Sequence, residues 1–171
     1  MKTYKASMDS VCKIITLVVM VILAIAFISS LTYSLTSEDS ERWATLLLLA
    51  ALFVIFGVTY LLAPRAYQLS TDTLTIDRLW APVQIPLQQI AEVSTPPLNQ
   101  FNYAVRLFGS GGFLGYFGLF WVSKTGRMWW YATQRRNVIM VKLKEGHPII
   151  ITPDDFSLAE ELKKHISSAP L

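Results

Sequence analysis

The sequence has few of the residues from which catalytic and metal sites are most often built. Among its 171 residues there are one cysteine and two histidines. The single cysteine, Cys12, excludes an intramolecular disulfide and any multi-cysteine metal site. His147 and His165 lie eighteen residues apart, which is not the spacing of a metal-binding pair. We therefore expect no metal, no cofactor and no catalytic site, and we interpret the protein as a non-enzyme.

Charged residues are also scarce. They make up 16% of the chain, against roughly 25% in an ordinary soluble domain, whereas 53% of the residues are hydrophobic. The hydrophobic residues are concentrated in two uncharged runs, residues 14–31 and 43–62, and each run can cross a hydrocarbon core of about 30 Å as a helix. We predict two transmembrane helices there. A cleaved signal peptide is the alternative for the first run, but the run continues beyond the candidate cleavage site at Ala26.

Basic residues near the ends of the two runs set the predicted orientation. These flanking residues are Lys2, Lys5, Lys13, Arg65 and Arg78. The connecting loop, residues 32–42, carries one arginine beside three acidic residues. The positive-inside rule then places both termini in the cytoplasm. Residues 1–66 form the predicted membrane anchor, and residues 67–171 form the predicted cytoplasmic domain.

After the second run the pattern changes to short strands that are separated by turn signals. Apolar and polar residues alternate over residues 74–76 and 83–87, which is the period of a strand buried on one face. Three further β-rich runs follow at residues 128–133, 137–143 and 148–152, and a glycine-containing turn joins the last two. We predict about seven short strands that form a small barrel or a bent sandwich.

An amphipathic helix is predicted after Pro153. Phe156, Ala159, Leu162 and Ile166 recur at helical spacing, with charged residues on the opposite face. Either of the two aspartates that follow Pro153 is a good N-cap, so capping explains this acidic pair better than a metal site does. We expect this helix to cover the open end of the β-structure.

Residues 108–131, FGSGGFLGYFGLFWVSKTGRMWWY, contain six of the chain's eight glycines and nine aromatic residues. The glycine spacing is one residue too long for a dinucleotide-binding loop, and Ser110 does not stand in a G-x-S-x-G nucleophile motif. Two interpretations remain. In the first, the glycines permit tight bends while the aromatic residues fill the barrel or cover its edge. In the second, the segment dips into the membrane interface beside the predicted helices.

Positive charge is concentrated in one part of the predicted domain. Between residues 124 and 144 there are six basic residues and no acidic residue. Arg135 and Arg136 fall in a predicted turn, from which both side chains reach outward, either into solvent or toward the anionic inner leaflet. Trp129 and Trp130 could stack on bases, but nucleic acid is disfavoured as a partner. In a strand at least one of the two must face the core of the domain, and lipid is the nearer anion.

Five stretches are distinctive when taken together: YQLSTDTLTIDR, VQIPLQQIAEV, FGSGGFLGYFG, GRMWWYAT and IIITPDDF. They resemble the bacterial pleckstrin-homology-like (PH-like) domain family, in versions with two N-terminal membrane helices. The resemblance implies a seven-stranded PH-like barrel or sandwich with a C-terminal capping helix, and it implies no particular activity. Eukaryotic PH domains that bind phosphoinositides carry basic residues at the first strand turn, whereas residues 70–73 here have none. We expect no phosphoinositide site of that type.

Together these observations predict an inner-membrane protein whose two helices hold a PH-like domain against the cytoplasmic leaflet, where it docks a protein partner or an anionic lipid. The alternative is an accessory subunit of a larger membrane assembly, in which the helices make the interface through the small residues Ala50, Ala51 and Gly57. The side chains that we expect to make contact are Arg127, Arg135 and Arg136 for polar docking, and Phe117, Phe120 and Trp121 for apolar contact.

Overall fold

The structure is a computed structural model that describes residues 1–36, 42–101 and 103–168. Within these residues the helices are α1 (Ser10–Thr36), α2 (Arg42–Leu62) and α3 (Ser157–Ser168). The strands are β1 (Lys2–Lys5), β2 (Ala66–Leu69), β3 (Thr73–Asp77), β4 (Val83–Pro86), β5 (Ile90–Ser94), β6 (Val105–Gly111), β7 (Tyr116–Val122), β8 (Gly126–Ala132), β9 (Ile139–Leu143) and β10 (Ile149–Ile151). Short 3-10 helices occupy Leu87–Gln89 and Leu98–Phe101.

The two predicted apolar helices are present as α1 and α2. By length and composition both can cross a membrane, and only 6% of each apolar window is buried inside the protein. A core helix of a soluble protein would be mostly buried, so the apolar side chains of α1 and α2 need an environment that this chain does not itself supply. Residues 37–41 of the connecting loop, which contain its three acidic residues, lie outside the described residues.

The first sheet contains four antiparallel strands in the order β1-β2-β3-β4. Its edge strand β1 comes from the N-terminus, and its Tyr4 pairs with Tyr67 of β2. No strand is predicted in the anchor, residues 1–66, because β1 has only four residues and its partner lies about sixty residues further along the chain. Since β1 precedes α1 and β2 follows α2, both ends of the helix pair meet in one sheet.

The second sheet contains six strands in the order β5-β9-β10-β8-β7-β6. The predicted hairpin around Gly146 is confirmed, because β9 and β10 pair in antiparallel fashion. On its other side β10 pairs with β8 in parallel. Of the two predicted arrangements, a barrel or a sandwich, the closed barrel is wrong, because the ten described strands form two separate sheets.

The main core lies between the two sheets and is closed by α3. Leu158, Ala159 and Leu162 of α3 are buried in it, as the predicted amphipathic pattern requires. Phe156 precedes the helix and is exposed, so it does not belong to this buried stripe. Burial also raises the pKa of Tyr67 to about 12, and its hydroxyl donates to the carbonyl of Tyr131 at 2.6 Å.

The two aspartates before α3 have different partners. Asp155 accepts a hydrogen bond from the backbone N–H of Ser157 at 2.9 Å, which is the predicted capping contact and holds the pKa of Asp155 below its usual value. Asp154 instead accepts hydrogen bonds from the N–H and the hydroxyl of Ser7, at 3.0 and 2.6 Å, and one from the side-chain amide of Gln134 at 3.3 Å. Asp154 therefore ties the segment before α1 to the domain.

A second core lies on the opposite face of the six-stranded sheet. Phe120 stacks on Trp130, with ring centroids 4.6 Å apart, and Phe101 meets Trp130 edge-on at 5.6 Å. Cys12, in the first turns of α1, is fully buried in the same cluster. The start of α1 thus packs as part of the domain.

Candidate functional site

One face of the six-stranded sheet changes from buried to exposed across its width. A single cross-strand row on this face runs through Val141, Ile149, Trp129, Leu119 and Phe108. Val141 and Ile149 are 0% and 5% exposed beneath the four-stranded sheet, whereas Trp129 and Phe108 are 38% and 73% exposed. The four-stranded sheet covers only the β9–β10 side, so the β6–β8 side presents apolar side chains beyond it.

Two glycines allow β6 and β7 to pair closely at this free edge. Gly109 and Gly118 face each other in the ladder, with φ of +106° and +121°. A Cβ on Gly109 would lie 2.1 Å from the carbonyl oxygen of Phe117, and one on Gly118 would lie 2.2 Å from the carbonyl oxygen of Phe108. Both positions therefore exclude a side chain, which explains part of the glycine enrichment in residues 108–131.

The turn between β6 and β7 packs against both long helices. The N–H of Leu114 donates to Oγ1 of Thr16 in α1 at 2.9 Å, and the rings of Phe113 and Phe56 in α2 lie 5.7 Å apart. The glycine-rich segment therefore serves two roles. Its tip contacts the helices, while residues such as Phe120 fill the interior; whether the segment also touches the bilayer stays a prediction.

The loop between β3 and β4 lies at the end of α2. The N–H of Trp80 donates to the carbonyl of Leu61 at 3.1 Å, and the side chains of Leu79 and Trp80 are exposed. In the same loop, the guanidinium of Arg78 lies 5.5 Å from the ring centroid of Tyr131 and donates from Nε to the carbonyl of Ala81. Burial raises the pKa of Tyr131, and Arg78 partly offsets this rise.

A groove of about 590 Å³ lies between α2 and the exposed face of β6, β7 and β8. Its walls are apolar on both sides, with Ile55 and Val58 from α2 and Phe108 and Trp129 from the sheet. Arg78 and Arg106 also line it, and none of the described residues that line it is acidic. We call this cleft the α2 groove.

The six residues predicted to make contacts do not form one surface. Phe117 and Phe120 are 6% and 5% exposed and pack inside the domain. Phe120 lies in the second core, whereas Phe117 lies in a separate small cluster on the face of β7 that lines the α2 groove. Neither presents an exposed side chain for docking. Trp121 is 42% exposed and pairs across the ladder with Arg127, which is also exposed. The binding roles of the four exposed residues stay predictions.

The exposed members of this set fall into two groups at opposite ends of β8. Arg135 and Arg136 lie in the loop after β8, beside the start of α1, where the backbone N–H of Arg135 donates to Asp9 at 3.1 Å. Trp121 and Arg127 lie near the β7–β8 turn at the other end of the strands. We call these the helix-proximal arginines and the distal surface.

Arg106 and Trp80 are not among the residues predicted to make contacts, and Arg78 enters the predictions only as a basic residue that sets the orientation. The available signal was modest: each is a basic or amphipathic residue beside apolar neighbours, a composition typical of an interfacial anchor. Their convergence on α2 depends on tertiary structure. In the described part of the chain, no three His, Cys, Asp or Glu side chains come together as a metal site.

The two-sheet domain with its closing helix agrees with the comparison against protein families. Residues 65–166 match the family model described as a bacterial PH domain. The chain belongs to the bacterial PH domain family. PH-like domains are generally binding modules without catalytic activity, and they bind proteins or lipids. Comparison with curated proteins and with solved structures gives no match.

Proposed function

We propose that this PH-domain protein is a non-enzymatic binding module of the inner membrane. In this proposal α1 and α2 cross the bilayer, both termini lie in the cytoplasm, and the domain docks a protein partner or an anionic lipid at the inner leaflet. The observation that carries the proposal is the continuity of the domain with both helices. Only residues 6–9 separate β1 from α1, and only residues 63–65 separate α2 from β2.

Such short connections hold the domain at one distance from the membrane. A tethered domain has a high effective concentration at the surface, so individually weak contacts are sufficient for binding. The helix-proximal arginines are adjacent to the start of α1 and suit anionic headgroups, to which each contributes about 1 kcal/mol of attraction. The distal surface lies away from the helix contacts, and its exposed Trp121 and Arg127 are residue types enriched in protein interfaces.

The orientation is tested first, because both binding modes depend on it. A tag fused to Leu171 resists protease added to intact cells and is digested after the inner membrane is opened. Digestion in intact cells contradicts the proposal, as does recovery of the full chain in the absence of detergent.

The distal surface is tested by site-specific photocrosslinking in cells. A photoreactive residue at position 121 crosslinks to a protein, whereas the same residue at Thr71, which is exposed in the turn between β2 and β3, does not. Equal crosslinking from both positions contradicts a specific protein contact.

The helix-proximal arginines are tested separately. Loss of binding to anionic vesicles in Arg135→Gln/Arg136→Gln supports the lipid contact.

A second candidate function is an accessory subunit of a membrane assembly. The observation that favours it is the position of the small residues of α2. Ala50 and Ala51 are exposed, and a Cβ on Gly57 would meet no atom within 4 Å, so none of the three is used to pack α2 tightly against α1. This surface of α2 can therefore pack closely against a helix of another protein. A partner that copurifies in mild detergent, and is lost in Gly57→Leu, supports this function over lipid docking.

A further inference from the structure

The α2 groove has two walls of different origin. One wall is α2 itself, where Val54, Ile55 and Val58 lie on an apolar helix that can cross a membrane. The other wall is the uncovered face of the six-stranded sheet, with Phe108 and Trp129. In the proposed membrane orientation this wall belongs to a helix that crosses the bilayer, so the groove lies beside lipid acyl chains.

The charged side chains among the described residues that line the groove are both arginines. Arg78 is held over Tyr131 and bound to the carbonyl of Ala81, so its guanidinium has a fixed position. The guanidinium of Arg106 makes no hydrogen bond or ion pair with any residue that the structure describes, and one of its terminal nitrogens lies 3.2 Å from where a Cβ of Gly111 would be. An arginine without a protein anion beside an apolar cleft is suited to an external phosphate.

We propose that the α2 groove binds one anionic glycerophospholipid of the inner leaflet. One of its two acyl chains lies between Val58 and Phe108, and its phosphate lies between Arg78 and Arg106. The volume is within the range of small-ligand sites, and basic pockets beside membrane helices on the cytoplasmic side are suited to anionic headgroups. The inference rests on the proposed function, because α2 must lie in the bilayer, but the site differs from the helix-proximal arginines.

Trp129 is a built-in reporter, because it lies on the wall of the groove. The full chain is placed in nanodiscs of phosphatidylcholine that contain a small share of phosphatidylglycerol with brominated acyl chains, which quench nearby tryptophan. The contribution of Trp129 is the difference between the native chain and Trp129→Phe. We expect brominated phosphatidylglycerol to quench Trp129 and brominated phosphatidylcholine at the same share to leave it nearly unquenched.

Two pairs of matched variants separate charge from shape. Arg78→Gln/Arg106→Gln raises the phosphatidylglycerol share needed for half-quenching about 30-fold. Each arginine contributes about 1 kcal/mol, which is slightly more than a fivefold change, and the two changes multiply. Lys144→Gln/Lys163→Gln removes the same charge at two exposed positions outside the groove, and it leaves the quenching curve unchanged. Val58→Phe fills the groove and reduces quenching, whereas Leu47→Phe, at an exposed α2 position away from the groove, does not.

Several results would overturn the inference. Equal quenching by both brominated lipids would show that Trp129 contacts bulk acyl chains and that the groove does not select a headgroup. No quenching by either lipid shows that a protein segment or a second copy covers the groove. Flotation of the chain with neutral liposomes separates these failures from failure of the proposed function: a chain that does not float refutes both, whereas a floating chain with either quenching result refutes the lipid site alone.

Discussion

The two halves of the six-stranded sheet are both rich in apolar residues but lie in different environments. On one face, the β9–β10 half lies under the four-stranded sheet and α3, whereas the β6–β8 half extends beyond that cover toward α2. Both halves carry large apolar side chains on this face. The covered half contributes burial to folding, and the uncovered half offers apolar surface beside the membrane helices, which is where binding is expected.

The largest expected effect tests whether the two halves contribute unequally to stability. Ile151→Ala, at a fully buried position of β10, lowers the free energy of unfolding by about 3 kcal/mol through lost burial and a cavity. Phe108→Ala, at the exposed end of the same face, changes it by less than about 0.5 kcal/mol. Denaturant unfolding of the full chain in detergent, followed by tryptophan fluorescence, measures both. Similar losses would mean that the β6 half is covered.

The second-largest loss of stability is expected where β6 and β7 pair closely. Gly118→Ala places a Cβ against the carbonyl oxygen of Phe108, so the strands must separate, and we expect a loss of about 2 kcal/mol. Gly146→Ala is the matched control, because Gly146 also has a positive φ but has no atom within 4 Å of its added Cβ. Backbone strain alone costs this control about 1 kcal/mol. Equal losses would show that close strand approach is unimportant.

Much of the covered half could be predicted from the sequence, because its signals are local. The β9–β10 hairpin is marked by two β-rich runs and a glycine turn, and α3 by its periodic apolar residues. The helices α1 and α2 are marked by the length of their uncharged runs. None of these assignments requires knowledge of a distant partner.

The uncovered half could not be predicted in the same way. Its run of aromatic residues and positive-φ glycines has no clear alternation, so the sequence did not distinguish buried Phe117 and Phe120 from exposed Trp121. The strand β1 and the parallel β8–β10 pair depend on non-local pairing. The α2 groove depends on where α2 lies relative to the sheet, so Arg78 and Arg106 come to line one groove only in the fold.

A smaller effect concerns the hydrogen bonds of the covered core. The hydroxyl of Tyr67 donates to the carbonyl of Tyr131 and accepts from the N–H of Thr152 at 3.1 Å. Tyr67→Phe leaves these buried groups unpaired and costs about 1 to 2 kcal/mol at neutral pH. The loss is measured by denaturant unfolding, and an unchanged midpoint would mean that water replaces the hydroxyl.

The same tyrosine predicts how stability depends on alkaline pH. Burial raises the pKa of Tyr67 from its ordinary value of 10.0 to about 12, because it disfavours the phenolate. The neutral form is therefore favoured by folding: its contribution to stability is fully present below pH 10 and is lost as the pH rises toward 12. Because phenylalanine has no ionisable hydroxyl, Tyr67→Phe does not show this part of the loss of stability at alkaline pH. Parallel pH profiles for the two proteins would contradict the assignment.

The smallest effect on stability is expected where the effect on binding is largest. Trp121 and Phe120 are neighbours on opposite faces of β7, one exposed and the other stacked on Trp130. Trp121→Ala changes the free energy of unfolding by less than about 0.5 kcal/mol, yet it removes an exposed aromatic side chain from the distal surface and weakens capture of a protein partner. Phe120→Ala is the control in the opposite direction, because it destabilises the domain by about 3 kcal/mol. If Trp121→Ala unfolds the domain as Phe120→Ala does, Trp121 is a structural residue; if it leaves both stability and partner crosslinking intact, the distal surface is not the binding surface.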